Sequence, residues 1–178
     1  MSEGSSPTDV CRCGEATVVV DDVQDEVTID RFRWAALAAA ALDAEQVAGE
    51  LTLTFVERAE IAALKSEFFD EPADHPTDVL SFPLDDPGED GDGSPVLLGD
   101  VVVCPAVAAD QYADHAGTLD DELALLVVHG VLHILGHDHA GEADAVIMRD
   151  RERALLESLH WGGPAPAGFS NLHQEEAR

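Results

Sequence analysis

Residues 129–139 read HGVLHILGHDH. His129, His133, His137 and His139 bring four imidazoles, and Asp138 a carboxylate, into this short run. The stretch that leads into it, LDDELALLVVHGVLHIL at 119–135, is apolar and helical in character. His129 and His133 lie four apart, so on a helix their rings share one face, one turn apart. His137 would extend that stripe. At 1.5 Å rise per residue, however, it lies about 12 Å from His129 along the axis. Zinc–nitrogen bonds of about 2.0–2.1 Å cannot join three rings in such a row. Gly136 offers the alternative, because a glycine can take the left-handed conformation that ends a helix. The chain then turns back and presents His139 from a loop. The ligand set becomes His129, His133 and His139, in the pattern H-x3-H-x5-H with glycine at the turn.

Three imidazoles with a fourth position open form the donor set of a catalytic zinc site, and one zinc per chain is expected. An open zinc lowers the pKa of bound water from 15.7 to about 7, or polarises a carbonyl or phosphoryl oxygen. His137 and Asp138 flank the ligands and are candidates to hydrogen-bond near the site. The run matches the outline of the zinc-protease signature HExxHxxGxxH at every position but one. That motif carries its general base where this chain has Gly130, and glycine cannot take a proton. A metalloprotease is therefore a distant alternative.

The remaining segments must position this run. ATVVVDD at 16–22, ELTLTFV at 50–56, TDVLSFP at 77–83 and VLLGDVVVCP at 96–105 read as strands from their β-branched content and alternation. Pro76 and Pro83 bound the third and suit an edge strand. Gly99 suggests a bulge or a close backbone approach. Helices are predicted at 29–48, where Asp30 or Thr28 can cap, and at 57–69, 119–135 and 142–160. Acids in the first turn of 119–135 favour the helix dipole. The predicted order is β-α-β-α-β-β-α-α, an α+β fold with a small mixed four-stranded sheet packed by four to five helices. Residues 1–15 are expected to be a disordered extension, 16–160 a single domain, and 161–178 a loose tail. The stretch 84–95 is rich in acids, glycine and proline and is expected to be a flexible connection.

The chain has 178 residues, 37 Asp plus Glu against 9 Lys plus Arg, and a formal charge of −28. Lys65 is its single lysine. Such a charge repels phosphates and alone argues against nucleic-acid binding. The acids are spread along the whole sequence, consistent with a surface adapted to high intracellular salt, where screening acts within about 3 Å at 1 M. No apolar stretch reaches the roughly 20 residues of a membrane span, and the polar start lacks the apolar core of a signal peptide, so a cytoplasmic protein is expected. Cys11 and Cys13 form a CxC too small to hold a metal alone. Cys104 ends an apolar run and reads as a core residue.

HGVLHILGHDH resembles the signature of the YbeY family, bacterial metal-dependent endoribonucleases of ribosomal RNA maturation, which runs HGxLHLxGYDH. PTDVLSFP at 76–83, LGDVVVCP at 98–105, ELALLVVHG before the histidines and MRDRERALL at 148–156, with the spacing M-x3-E-x2-L, resemble further family motifs in the same order. The resemblance implies a zincin-like fold and zinc on His129, His133 and His139. It also implies cleavage of single-stranded RNA in 16S rRNA 3′-end maturation and ribosome quality control, with the small ribosomal subunit or its assembly factors as partners. On that reading Thr77, Asp78 and Ser81 contribute polar contacts to one wall of the substrate cleft. Asp138 is the nearest carboxylate for proton transfer, and His137 stands where the family has tyrosine. Asp100 is a carboxylate behind the site or a turn residue. The arginine that many family members carry before PTDVLSFP has no counterpart in LKSEFFDEPADHP, and Lys65 is the nearest cation. Arg149, Arg151 and Arg153 either contact phosphate or pair with Asp150, Glu152 and Glu157 on a solvated face. Water and a ribose 2′-OH both stay open as the nucleophile. A non-catalytic, zinc-stabilised ribosome-assembly factor is the alternative function.

Overall fold

A computed structural model describes residues 9–70, 72, 74–85 and 93–172. The α+β class is as expected, but the sheet has five strands rather than four. They are β1 (Asp9–Cys13), β2 (Ala16–Asp22), β3 (Gly49–Phe55), β4 (Val79–Pro83) and β5 (Leu97–Val103), in the spatial order β1-β2-β3-β5-β4. β2, β3 and β5 run parallel, and β1 and β4 pair antiparallel at the two edges. The helices are α1 (Arg31–Ala44), α2 (Arg58–Phe69), α3 (Pro105–Gln111), α4 (Leu119–Ile134) and α5 (Glu142–Leu156). A 3₁₀ turn at Tyr112–Asp114 and a π-helical turn at Glu157–Trp161 complete the set.

The extra strand corrects the expectation that residues 1–15 are loose, as far as residues 9–15 are concerned; residues 1–8 lie outside the described residues. β1 and β2 form a hairpin through Gly14–Glu15, with Gly14 at φ +57°. Cys11 and Cys13 pack against the core from β1. Their i, i+2 spacing is the period of a strand face. α3 is also new. It is seven residues long, too short for a periodic signal, and Pro105 starts it.

Alternation decides which face is covered. Val18, Val20, Leu51, Leu53, Val101 and Val103 join one core with α1 and α4, whereas Leu80 and Val102 join a second cluster with Ile61 of α2. α1 is capped by Asp30, whose side chain accepts from the Arg33 amide at 3.3 Å. α4 is apolar nearly all round and nearly all buried, the signature of a helix enclosed by its neighbours. It lies between the sheet, α1 and α5.

β4 is an edge strand, as its prolines suggest. Gly99 is both a bulge and a close approach. Glu50 pairs with Leu97 but Leu51 with Gly99, and a Cβ at Gly99 would lie 2.5 Å from the Phe82 carbonyl oxygen. Of the connection expected at 84–95, residues 86–92 lie outside the described residues. The tail expected to be loose is anchored at least to Leu172: Phe169 and Asn171 are buried, and the Phe169 ring meets the edge of Trp161 at 4.8 Å. Residues 173–178 lie outside the described residues. Among the described residues no helix is long and apolar enough to cross a membrane.

Candidate metal centre

The last two turns of α4 carry His129 and His133, whose Nε2 atoms stand 3.1 Å apart. Two nitrogens bound tetrahedrally to one zinc would be roughly 3.3 Å apart. The helix then stops. The Gly136 amide donates to the His133 carbonyl and the His137 amide to the Leu132 carbonyl, both at 3.0 Å. This is a Schellman cap, with Gly136 at φ +97°. Asp138 shapes the turn beyond the cap: its Oδ1 accepts from the amides of His139 at 2.7 Å and Ala140 at 3.2 Å. This turn swings His139 back until its ring centroid is 5.0 Å from that of His133 and 5.7 Å from that of His129. One ligand atom from each of the three histidines lies within 4.8 Å of the others, so the group can hold a metal ion.

His129 is oriented from behind. Its Nδ1 donates to Glu152 Oε1 at 2.6 Å, which leaves Nε2 for the ion. Glu152 is itself fully buried, and its Oε2 accepts from Asn171 Nδ2 at 3.1 Å. Burial, reinforced by the neighbouring His139 and His115, pushes His129 down to about 3. Burial, with His129 and His139 nearby, pushes His133 down to about 4. Both rings are therefore neutral near pH 7, the form that binds a metal. Two neutral imidazoles, a third from the loop and a carboxylate holding one tautomer fit a zinc-type ion.

Gly130 packs α4 onto the sheet. A Cβ there would sit 2.5 Å from Val101 Cγ1, so the position has no room for the glutamate of a zinc protease. Ser81 Oγ donates to the Gly130 carbonyl at 3.1 Å, tying β4 to the helix one residue beyond His129. The histidines open into a cleft of about 940 Å³, lined also by Phe69, Thr77, Asp78, Ser81, Gln111, His115, Ser170 and Leu172. Thr77, Asp78 and Ser81 thus stand on the wall of the cleft that the histidines open into. Lys65 does not: it is buried on α2 and absent from the cleft wall. His137 and Asp138 also stand off the wall. Among the described residues no lysine or arginine lines it, and Asp78, Asp110 and Asp114 do.

Asp100 sits neither behind the site nor in a turn. It pairs with Thr52 and Phe82 inside the sheet, and alternation with Val101 directs it away from α4. Two of the three arginines of α5 are engaged within the fold. Arg151 pairs with Glu45, and the Arg153 guanidinium lies 5.4 Å from the Phe169 ring. Glu152 is not their solvated partner but the carboxylate behind His129. Its position in M-x3-E-x2-L was the available signal, since Met148, Glu152 and Leu155 share one buried helix face. A second buried network stands at the N-terminal end of α4. Glu122, fully buried, accepts from His115 Nδ1 at 2.8 Å, from Gln111 Nε2 at 2.9 Å and from the Ala116 amide at 3.1 Å. Gln111 Nε2 also donates to Asp78 Oδ2 at 2.7 Å, joining α3 to the entrance of β4.

Comparison with known proteins agrees with this geometry. The family model described as Endoribonuclease YbeY matches residues 19–160. The endoribonuclease YbeY of Acidothermus cellulolyticus is 47% identical over 142 residues, covering 74% of this chain and 82% of its own length. That of Beutenbergia cavernae is 44% identical over 138 residues, covering 75% and 91%. The solution structure of TM1509 from Thermotoga maritima superposes with a TM-score of 0.57 at 25% identity, covering 82% of this chain and 89% of that one. With a match across most of its length and the metal-site geometry of three convergent histidines, the chain belongs to the YbeY family.

Proposed function

We propose that the chain is a zinc-dependent endoribonuclease that cleaves single-stranded RNA, acting in the cytoplasm on the 3′ end of 16S rRNA and in ribosome quality control. The observation that carries this reading is the convergence of His129, His133 and His139 at the floor of an open cleft, in a chain whose relatives are named endoribonucleases. Zinc held there would supply Lewis acidity toward a phosphoryl oxygen or a nucleophilic oxygen. Glu152 fixes the tautomer of His129, and the Asp138 turn fixes the approach of His139. We assign Asp138 this positioning role ahead of proton transfer, and place His137 beside it in the cap. Asp138→Ala should then weaken metal binding without moving the pH–rate profile.

The cleft wall supports a single-stranded substrate. Phe69 lines it, and the Phe68 and Phe69 rings, both about half exposed, stand 5.1 and 6.0 Å from Phe82. Unstacked bases bind such faces, whereas a duplex keeps its bases stacked. One observation favours the assembly-factor reading: among the described residues the cleft wall offers no lysine or arginine for a phosphate. Incubating the zinc-loaded protein in molar KCl with matched single-stranded RNA, duplex RNA and single-stranded DNA decides between them. Cleavage confined to single-stranded RNA is expected. A 2′,3′-cyclic phosphate end would assign the attack to the ribose 2′-OH, and a simple phosphate end to water. Intact RNA that nevertheless co-sediments with small ribosomal subunits and the protein would favour the assembly factor.

A further inference from the structure

The described tail beyond the family match reaches the carboxylate behind His129. Residues 19–160 carry the family resemblance, and Asn171 lies outside them. It is nevertheless buried, at 6% exposure. Its Nδ2 donates to Glu152 Oε2 at 3.1 Å and to the Arg149 carbonyl at 3.0 Å. Both partners only accept, which fixes the amide orientation. Glu152 passes the constraint on through its other oxygen, which holds His129 Nδ1 at 2.6 Å. The tail is seated by three further contacts. Phe169 packs on Trp161, the Arg153 guanidinium covers the Phe169 ring, and the Ser170 amide donates to the His115 carbonyl at 3.1 Å. On either side of Asn171, Ser170 and Leu172 line the cleft.

We infer that Asn171 is a positioning residue of the metal centre, acting through the chain Asn171–Glu152–His129, so that the C-terminal segment tunes metal affinity. The physical ground is that hydrogen bonds to both oxygens hold a buried carboxylate in one orientation. Glu152 presents Oε1 to His129 squarely because Oε2 is tied to Asn171. A ligating histidine whose partner carboxylate can rotate loses the orientation that makes it a good ligand. The inference rests on His129, His133 and His139 being the metal ligands, as proposed.

The test titrates cobalt(II) into metal-free, full-length protein. Affinity is read by competition with a chelator, geometry by the cobalt d–d bands, and the His129 ring by nitrogen-15 NMR. Asn171→Ala should weaken cobalt binding about tenfold, the low end for outer partners of ligating histidines. It should also shift the d–d bands and speed exchange of the Nδ1 proton of His129. Asn171→Asp keeps the side-chain shape if the alanine variant fails to fold. It should weaken binding further, because it turns a donor into a second carboxylate facing Glu152. Wild-type affinity and bands in a folded Asn171 variant would overturn the inference. His133→Ala separates the two levels. If it too keeps wild-type affinity, the ligand assignment itself is wrong; if it alone loses cobalt, only the role of Asn171 falls.

Discussion

The two ends of α4 are built from the same chemistry and do different things. Each buries a carboxylate against a histidine. At the N-terminal end, His115 Nδ1 lies 2.8 Å from both oxygens of Glu122, and Asp121 accepts from His160 Nε2 and Trp161 Nε1, each at 2.8 Å. At the C-terminal end, His129 meets Glu152 at 2.6 Å. The difference is the far side of the ring. His129 turns its Nε2 toward His133 and His139, whereas Glu122 gathers His115, Gln111 and the Ala116 amide into a lock that holds α3 and the 3₁₀ turn after it. Burial pulls His115 down, but the hydrogen bond and charge of Glu122, with Asp78 and Glu152 beyond, more than reverse it, so His115 is raised. His129 is driven the opposite way, to about 3. A histidine–carboxylate pair is thus a structural device throughout this molecule. Among the described residues it becomes a candidate metal centre where three ring nitrogens converge.

Acid should separate the two ends most sharply. Below pH 6.5 the unfolded chain protonates its histidines, while folded His129 and His133 resist until about pH 3 and 4. The unfolded state then holds more protons, so the metal-free protein should lose stability as pH falls from 6.5 toward 4. His115 contributes with the other sign: its stabilisation is full below 6.5 and lost as pH rises through its raised folded value. Denaturant melts of the His129→Asn, His133→Asn double variant should show a flatter acid limb than the parent.

Removing the two carboxylates should break different properties. Glu122→Ala leaves three donors around a buried void and should cost about 3–5 kcal/mol in a chemical melt, with metal affinity of the folded protein little changed. Glu152→Ala should instead cost roughly 10–100-fold in zinc affinity measured by chelator competition. Equal effects of the two on affinity would erase the distinction between lock and metal centre.

Two glycines sharpen it further. Gly130→Ala puts a Cβ 2.5 Å from Val101 Cγ1, so α4 must lift from β5 at a cost of about 1–3 kcal/mol, carrying His129 with it. Gly136→Ala meets no atom within 4 Å, so its cost is conformational alone, about 1–2 kcal/mol for holding alanine at φ +97°. Thermal melts should rank Gly130→Ala as equally or more damaging, and both variants should bind zinc more weakly than the parent.

The local part of this site was legible in the sequence. H-x3-H-x5-H and the turn at Gly136 come from helix geometry, and Gly99 and the prolines around β4 marked the bulge and the edge. What escaped depends on elements meeting in space. Glu152 sits between two arginines in sequence and reads as solvated, yet α5 docks that face on α4. Asn171 belongs to a segment without periodicity, and it is brought back by the packing of Phe169 on Trp161 and the bond from the Ser170 amide to the His115 carbonyl. β1 was hidden because cysteine at i, i+2 on a polar background does not resemble an apolar strand face. Among the described residues the cleft wall has no lysine or arginine, and Lys65, the nearest cation by sequence, is buried on α2 instead.

The proposed activity stands or falls on whether the three histidines hold a catalytic metal. The sharpest experiment is cleavage of a labelled single-stranded RNA in molar KCl by the zinc-loaded protein, by the chelated protein and by His133→Ala, with bound zinc quantified in each. About one zinc per chain and cleavage are expected in the first sample, and loss of both in the other two. Undiminished cleavage by folded, zinc-free His133→Ala would show that the metal is not what cuts the RNA.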